Sequence, residues 1–99
     1  IAYAASKGAL ITMNKSLARV MAPEVRVNTV CPGFIAGEWL REGMGDEAYE
    51  RNLQRVTERT PLHRTCTPES VAESIMGFVD GHSIITGEHI ILDGGMFLN

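Results

Sequence analysis

A tyrosine and a lysine that could act together lie in the first segment of the chain, "YAASKGAL". Tyr3 and Lys7 are four residues apart, and a helix with about 3.6 residues per turn places them side by side on one face. A phenol, with a usual pKa of about 10, is a poor base at neutral pH, and an adjacent ammonium favours the phenolate and lowers that pKa. The pair therefore indicates Tyr3 as an acid/base group and Lys7 as its activator. In isolation, the same pair is more often an exposed tyrosine beside a solvated lysine.

The other residues that could bind a metal or act as nucleophiles give weaker signals. His63 and Cys66 are separated by two residues, a gap that suits a metal, but Cys31, His82 and His89 are scattered along the chain. We therefore predict no metal site. The two cysteines do not make a disulfide framework, and they indicate free thiols in a reducing, cytoplasmic compartment.

Helix and strand signals alternate along the chain and predict the elements that position these residues. Apolar residues recur at spacings of three and four over residues 4–21, which predicts a helix with this apolar face: Leu10, Met13, Leu17 and Val20. The β-branched segment "VRVNTVC", followed by "PG", predicts a buried strand that ends in a turn. The segment "IAGEWLREGMG" contains three glycines and predicts a loop that could act as a lid, with Trp39 and Leu40 as its large apolar residues.

The second half of the chain predicts two more helices and a strand. Tyr49, Leu53 and Val56 have helical spacing within residues 46–59. Thr67 is a candidate N-cap, and Pro68 suits the first position of a helix that ends at "DG". With "HIILD" as the last strand, the predicted order is α-β-α-α-β.

This order and the composition favour an α/β domain, or part of one. The chain has 99 residues, of which 44% are hydrophobic and 21% charged, with a net charge of -3, which is ordinary for a soluble globular protein. It contains no apolar run of about 18 residues, no signal peptide and no basic patch for nucleic acid. Two parallel strands alone cannot complete such a sheet, and the first residue is Ile1 rather than methionine. We therefore expect the C-terminal part of a doubly wound sheet.

Three segments in this order, "YAASKGAL", "RVNTVCPGFI" and "ITGEHIILDGG", resemble the second half of the short-chain dehydrogenase/reductase family. The resemblance runs from Tyr3 to Gly95. Each motif alone is weak, but three in the right order over one α/β pattern are specific. The resemblance implies a Rossmann-like fragment of an NAD(P)-dependent oxidoreductase that interconverts an alcohol and a carbonyl. Residues 1–99 would be the C-terminal half of that domain, without its dinucleotide-binding N-terminal half.

The resemblance also implies which residues contact the cofactor. Tyr3 and Lys7 would lie against it, with Lys7 hydrogen-bonded to the ribose hydroxyls. The segment "CPGFI" would line the nicotinamide, and the backbone at its last residue would meet the carboxamide, which gives four further candidate contacts: Pro32, Gly33, Phe34 and Ile35. Family members usually have a threonine where this chain has Gly37, which calls the contact of that hydroxyl into question.

Several features of a complete enzyme are absent from this sequence, so alternatives stay open. There is no glycine-rich phosphate loop, and the second strand of a dinucleotide-binding half, with the charged residue that follows it, is also absent, so NAD and NADP are not distinguished. The family's catalytic serine would lie upstream. The alternatives are a non-catalytic subunit or binding module of this fold, and an epimerase or dehydratase. We expect a small-molecule alcohol or carbonyl substrate and a homodimer or homotetramer, formed in part by the helix from Thr67 and the strand "HIILD". We expect no nucleic acid and no membrane as partners.

Overall fold

The computed structural model describes residues 1–98, which form four helices and a two-stranded parallel sheet. The elements follow one another as α1 (Ala2–Met21), β1 (Thr29–Pro32), α2 (Glu38–Met44), α3 (Asp46–Arg59), α4 (Pro68–Asp80) and β2 (His89–Leu92). β1 pairs with β2 from Thr29 opposite His89 to Pro32 opposite Leu92. The predicted α/β class is confirmed. Within residues 1–98, no helix is both long and apolar enough to span a membrane.

The loop predicted over residues 35–45 is wrong in its central part, because Glu38–Met44 forms α2. Two of the three glycines in that segment bound the helix instead of interrupting it. Gly37 is the N-cap of α2, and Gly45, at φ 83°, ends α2 and begins α3. Only a glycine adopts that left-handed conformation at little cost. The element order therefore gains one helix over the predicted order.

The predictions for α3 and α4 are confirmed. Tyr49 and Val56, two turns apart on α3, are buried. Thr67 caps α4 by accepting a hydrogen bond from the amide of Ser70, whose hydroxyl accepts one from the amide of Thr67 in return. Pro68 occupies the first turn, where its missing N–H costs nothing.

The buried face of α1 differs from the predicted apolar face. Asn14 and Ala18 are the buried residues of α1, and Asn14 donates a hydrogen bond to the carbonyl of Glu88 just before β2. The predicted apolar residues are between 39% and 80% exposed: Leu10, Met13, Leu17 and Val20. Within residues 1–98, the covered side of α1 is the one that carries Asn14 and Ala18, and the predicted apolar residues remain exposed.

Candidate active site

Tyr3 and Lys7 lie next to each other on the first turns of α1. The Nζ atom of Lys7 is 5.5 Å from the centre of the Tyr3 ring, as the spacing of four residues predicts. Tyr3 is 75% exposed, so its hydroxyl is open to a ligand. The ammonium of Lys7 is thus within cation–π distance of the Tyr3 ring.

A cleft of 610 Å³ separates the start of α1 from β1 and the turn that follows it. Tyr3 and Lys7 line one side of this cleft, and Pro32, Gly33 and Ile35 line the other. Its volume lies in the range of small-molecule sites, about 300–1,000 Å³. The cleft also lies at the carboxyl end of β1, which is where open α/β sheets bind ligands. The structure thus brings together five of the six predicted cofactor contacts.

Phe34 is the predicted contact that does not line this cleft. Its ring packs instead against Tyr49 of α3, with 6.4 Å between the ring centres. Gly33 and Ile35 line the cleft, whereas the Phe34 side chain lies against α3.

The cleft turn, which we define as residues 32–36, is fixed by hydrogen bonds to two other segments. The amide of Gly33 donates to the carbonyl of Leu92 at the end of β2, over 2.9 Å. The amide of Cys66 donates to the carbonyl of Phe34, and the amide of Ala36 donates to the carbonyl of Cys66, over 3.1 and 2.8 Å. The buried Cys66 thiol also donates to the carbonyl of Leu92. Cys66 therefore holds the cleft turn, a role that sequence reasoning missed.

Trp39 and Leu40, the large apolar residues of the predicted lid, are not brought to the cleft. They lie on α2 and line a separate hollow of 530 Å³ together with Met44. Trp39 is 85% exposed. The large side chain of Trp39 therefore faces outward from a helix that follows directly after the cleft turn.

Arg41 connects α2 to α3, and no motif in the sequence pointed to it. Its guanidinium lies 4.5 Å from the centre of the Tyr49 ring. Its nitrogens also pair with three carboxylates, at 3.1 Å from Glu50, 3.6 Å from Asp46 and 3.7 Å from Glu38. Desolvation lowers the pKa of Arg41, but the carboxylates, Glu50 foremost, more than offset this and raise the pKa above its usual value. Arg41 therefore stays positively charged across the physiological pH range.

The end of β2 and the segment before it are braced by two polar side chains. Asn28 donates to the carbonyl of Ile85 and accepts from the amide of Glu88, over 2.8 and 3.1 Å. The carboxylate of Asp93 accepts from the amides of Gly95 and Phe97, over 2.8 and 3.2 Å. These bonds fix both ends of β2, and with it the carbonyl of Leu92 that holds the cleft turn.

Residues 1–97 match the family model described as enoyl-(acyl carrier protein) reductase. The chain belongs to the short-chain dehydrogenase/reductase family. The resemblance that the three motifs predicted is thereby confirmed. Among its relatives in this family, ketoacyl reductase 2 of the granaticin polyketide synthase from Streptomyces violaceoruber is 37% identical over 98 residues, which make up 99% of this chain and 38% of that protein.

A second relative is the 3-oxoacyl-[acyl-carrier-protein] reductase of Thermotoga maritima, which is 40% identical over 98 residues, or 97% of this chain. These residues again cover 38% of the relative. The chain therefore spans well under half the length of these short-chain dehydrogenases/reductases.

Solved structures of the family share the fold. A short chain dehydrogenase family protein from Francisella tularensis subsp. tularensis SCHU S4 is 33% identical, with a TM-score of 0.86 over 100% of this chain and 44% of its own. Two others, each 29% identical with a TM-score of 0.81, are a small-chain dehydrogenase in complex with NADPH and a 4-hydroxyisoleucine dehydrogenase complexed with NADH. They cover 93% and 99% of this chain and 41% and 40% of their own. The predicted Rossmann-like fold is therefore confirmed.

Proposed function

We propose that this chain is part of an NAD(P)-dependent oxidoreductase that interconverts an alcohol and a carbonyl, with Tyr3 as the acid/base group and Lys7 as its activator. The observation that carries this proposal is the cleft in which Tyr3 and Lys7 face the cleft turn across a ligand-sized space. Relatives described as ketoacyl and 3-oxoacyl reductases support a carbonyl compound as the substrate.

The cofactor and two residues of the cleft have different roles in the proposed reaction. A nicotinamide cofactor, when bound, gives or takes the hydride. The hydroxyl of Tyr3 gives a proton to the substrate oxygen during reduction of a carbonyl and takes it back during oxidation of an alcohol. Lys7, whose Nζ atom lies 5.5 Å from the centre of the Tyr3 ring, places a positive charge beside the residue that exchanges the proton.

The cleft turn fits a nicotinamide ring and its carboxamide. Gly33 lines the cleft with backbone atoms alone, which a flat ring can approach closely. The cleft turn bonds to Cys66 through the carbonyl of Phe34 and the amide of Ala36, so the amide and carbonyl of Ile35 point away from Cys66. Among residues 1–98 these two groups of Ile35 make no hydrogen bond, which leaves one donor and one acceptor for a carboxamide. The complexes of related dehydrogenases with NADPH and NADH support NAD or NADP as the cofactor.

We further propose that residues 1–99 form the C-terminal half of the complete domain, with the phosphate loop and the catalytic serine in the other half. The chain spans 38% of the length of its ketoacyl reductase relatives, which supports this division. The homodimer or homotetramer and the cytoplasmic location stay predictions from the family resemblance.

The decisive test is Tyr3→Phe in the complete enzyme. The variant removes the transferable proton and keeps the ring, so we expect kcat to fall about 100- to 10,000-fold. The dissociation constant for the cofactor should stay close to that of the unaltered enzyme. Single-turnover measurements of reduced-cofactor absorbance and a cofactor titration check both quantities.

The chain offers a matched control in its other tyrosine. Tyr49 is 4% exposed and packs away from the cleft, so Tyr49→Phe should keep kcat. A Tyr3→Phe enzyme that keeps more than about a tenth of kcat with chemistry rate-limiting would show that the proton moves through another group. Turnover without net oxidation or reduction would instead favour an epimerase or dehydratase.

A further inference from the structure

Three side chains form a continuous stack from the cleft turn to α2. Phe34 of the cleft turn packs on Tyr49 of α3, with 6.4 Å between the ring centres and 37° between the ring planes. The guanidinium of Arg41, on α2, lies 4.5 Å from the centre of the same Tyr49 ring. Tyr49 is therefore in contact with both the cleft turn and α2, and it is 4% exposed.

The position of α2 depends on this stack because the helix has few other means of attachment. α2 has seven residues, none of them buried, and a helix this short is not stable by itself in water. Its packing partner is α3. Arg41 supplies the polar part of that packing through Asp46 and Glu50, but ion pairs at a surface are individually weak. The cation–π contact joins Arg41, whose side chain is 34% exposed, to the buried Tyr49 ring, so it is partly shielded from water.

The stack also ties α2 to the part of the cleft turn that faces the ligand. Phe34 lies between Gly33 and Ile35, which both line the cleft, and its carbonyl accepts the amide of Cys66. Moving the Phe34 ring would therefore disturb a segment whose backbone is held on both sides. Tyr49 therefore links α2 to a turn whose backbone is held by hydrogen bonds.

We propose that Tyr49 is a positioning residue that sets α2, with Trp39 and Leu40, at a fixed distance from the cleft turn, and so governs how the substrate is bound. This inference rests on the proposed function and on the sequence prediction that the segment with Trp39 and Leu40, which lies outside the cleft in this structure, covers the substrate. Tyr49 acts through Arg41 and does not touch the reacting atoms. Its loss should weaken substrate binding and leave the proton transfer by Tyr3 unaffected.

The test compares substitutions at Tyr49 and Arg41 in the complete enzyme. Tyr49→Leu removes the ring and keeps an apolar side chain, Tyr49→Phe keeps the ring, and Arg41→Gln removes the cation. Hydrogen–deuterium exchange of residues 38–44 reports on α2 directly, and KM, kcat and the cofactor dissociation constant report on the site. Arg51→Gln is the matched control, because Arg51 pairs with Glu47 on the surface of α3 and makes no cation–π contact within residues 1–98.

We expect Tyr49→Leu to speed exchange of α2 about fivefold, the change that follows loss of one cation–π contact, and to raise KM. Arg41→Gln also loses the ion pairs with Asp46 and Glu50, so it should speed exchange of α2 at least as much and also raise KM. The kcat and the cofactor dissociation constant should stay within about twofold of the unaltered enzyme. Tyr49→Phe and Arg51→Gln should match the unaltered enzyme in every quantity.

Four outcomes would overturn the inference. The first is unchanged exchange of α2 in Arg41→Gln, and the second is an equal change in α2 exchange and KM in Tyr49→Phe and Tyr49→Leu. The third is faster exchange of all helices together, and the fourth is faster exchange of α2 with unchanged KM. If Tyr49→Leu does not fold, Arg41→Gln decides the matter, since this residue lies at the surface of α2. The exchange measurement needs no turnover, so an enzyme that lacks oxidoreductase activity but shows faster α2 exchange would refute the proposed function and leave the placement of α2 by Tyr49 intact.

Discussion

Gly33 lies at the point where the cleft turn passes closest to the end of β2. A Cβ atom at Gly33 would be 3.1 Å from the Cβ of Asp93 and 3.2 Å from its Cα. Both are nearer than an ordinary contact, and the Cα belongs to a backbone that Asp93 itself fixes through its bonds to Gly95 and Phe97. The absence of a side chain at Gly33 therefore serves the packing of the cleft turn on the end of β2.

This crowding predicts that Gly33→Ala destabilises the folded protein. We expect a loss of about 1–3 kcal/mol in the free energy of unfolding, because the neighbouring backbone must shift to admit the methyl group. Denaturant unfolding of the complete enzyme measures this loss. Gly8→Ala is the matched control: a Cβ there meets nothing within 4 Å, and alanine in a helix should stabilise by up to about 1 kcal/mol. Equal stability of the two variants would contradict the close approach.

At the scale of elements, α2 combines a weakly anchored backbone with an exposed tryptophan. No residue of α2 is buried, and Trp39 is 85% exposed. Its N-cap, Gly37, makes no side-chain hydrogen bond to the first turn. An exposed indole on such an element is unusual for a residue that serves only packing, and it suits a surface that becomes covered when a substrate binds.

Trp39→Ala should therefore raise KM about tenfold while the melting temperature and the dissociation constant for the oxidised cofactor stay unchanged. Ile84→Ala is the control, because Ile84 is 94% exposed and lies in the segment between α4 and β2, away from α2. The same samples should be measured for mass in solution. A lower melting temperature or a smaller oligomer would identify Trp39 as a core or interface residue, and unaltered kinetics in a stable variant would remove it from the substrate site.

The elements differ in how far the sequence alone could predict them. α3 and α4 could be predicted because each carries its own periodicity and end signals, such as Thr67 and Pro68. α2 could not be predicted, because seven residues are too few to show a helical repeat of apolar residues, and the glycines at its two ends are typical of a loop. In the site, the Tyr3–Lys7 contact follows from spacing within one helix, whereas Arg41 and Cys66 act on residues from other elements that only the tertiary fold brings near.

For the molecule as a whole, the main physical feature is the apolar surface that residues 1–98 leave exposed. It includes the outward face of α1 and parts of α4 and of the last segment, for example Val20, Val79 and Phe97, which are 80%, 61% and 75% exposed. A sheet of two strands cannot cover this surface, and parallel sheets are normally covered on both faces. The proposed N-terminal half of the domain would supply the missing strands and helices.

The same reasoning predicts that the 99-residue chain by itself does not bind NAD or NADP tightly. The pyrophosphate and adenine of a dinucleotide normally bind at a glycine-rich loop and helix N-terminus, and the sequence contains no such loop. In the proposed site, the cleft between Tyr3, Lys7 and the cleft turn would contact the nicotinamide end of the cofactor. Isothermal calorimetry of the chain with each cofactor should give no binding at micromolar concentrations, and circular dichroism of the same sample should show whether the helices are formed.

The complete enzyme is the control and should bind one of the two cofactors. Micromolar binding by the chain alone would show that the cleft residues suffice, and it would contradict the proposed division of the site between two halves.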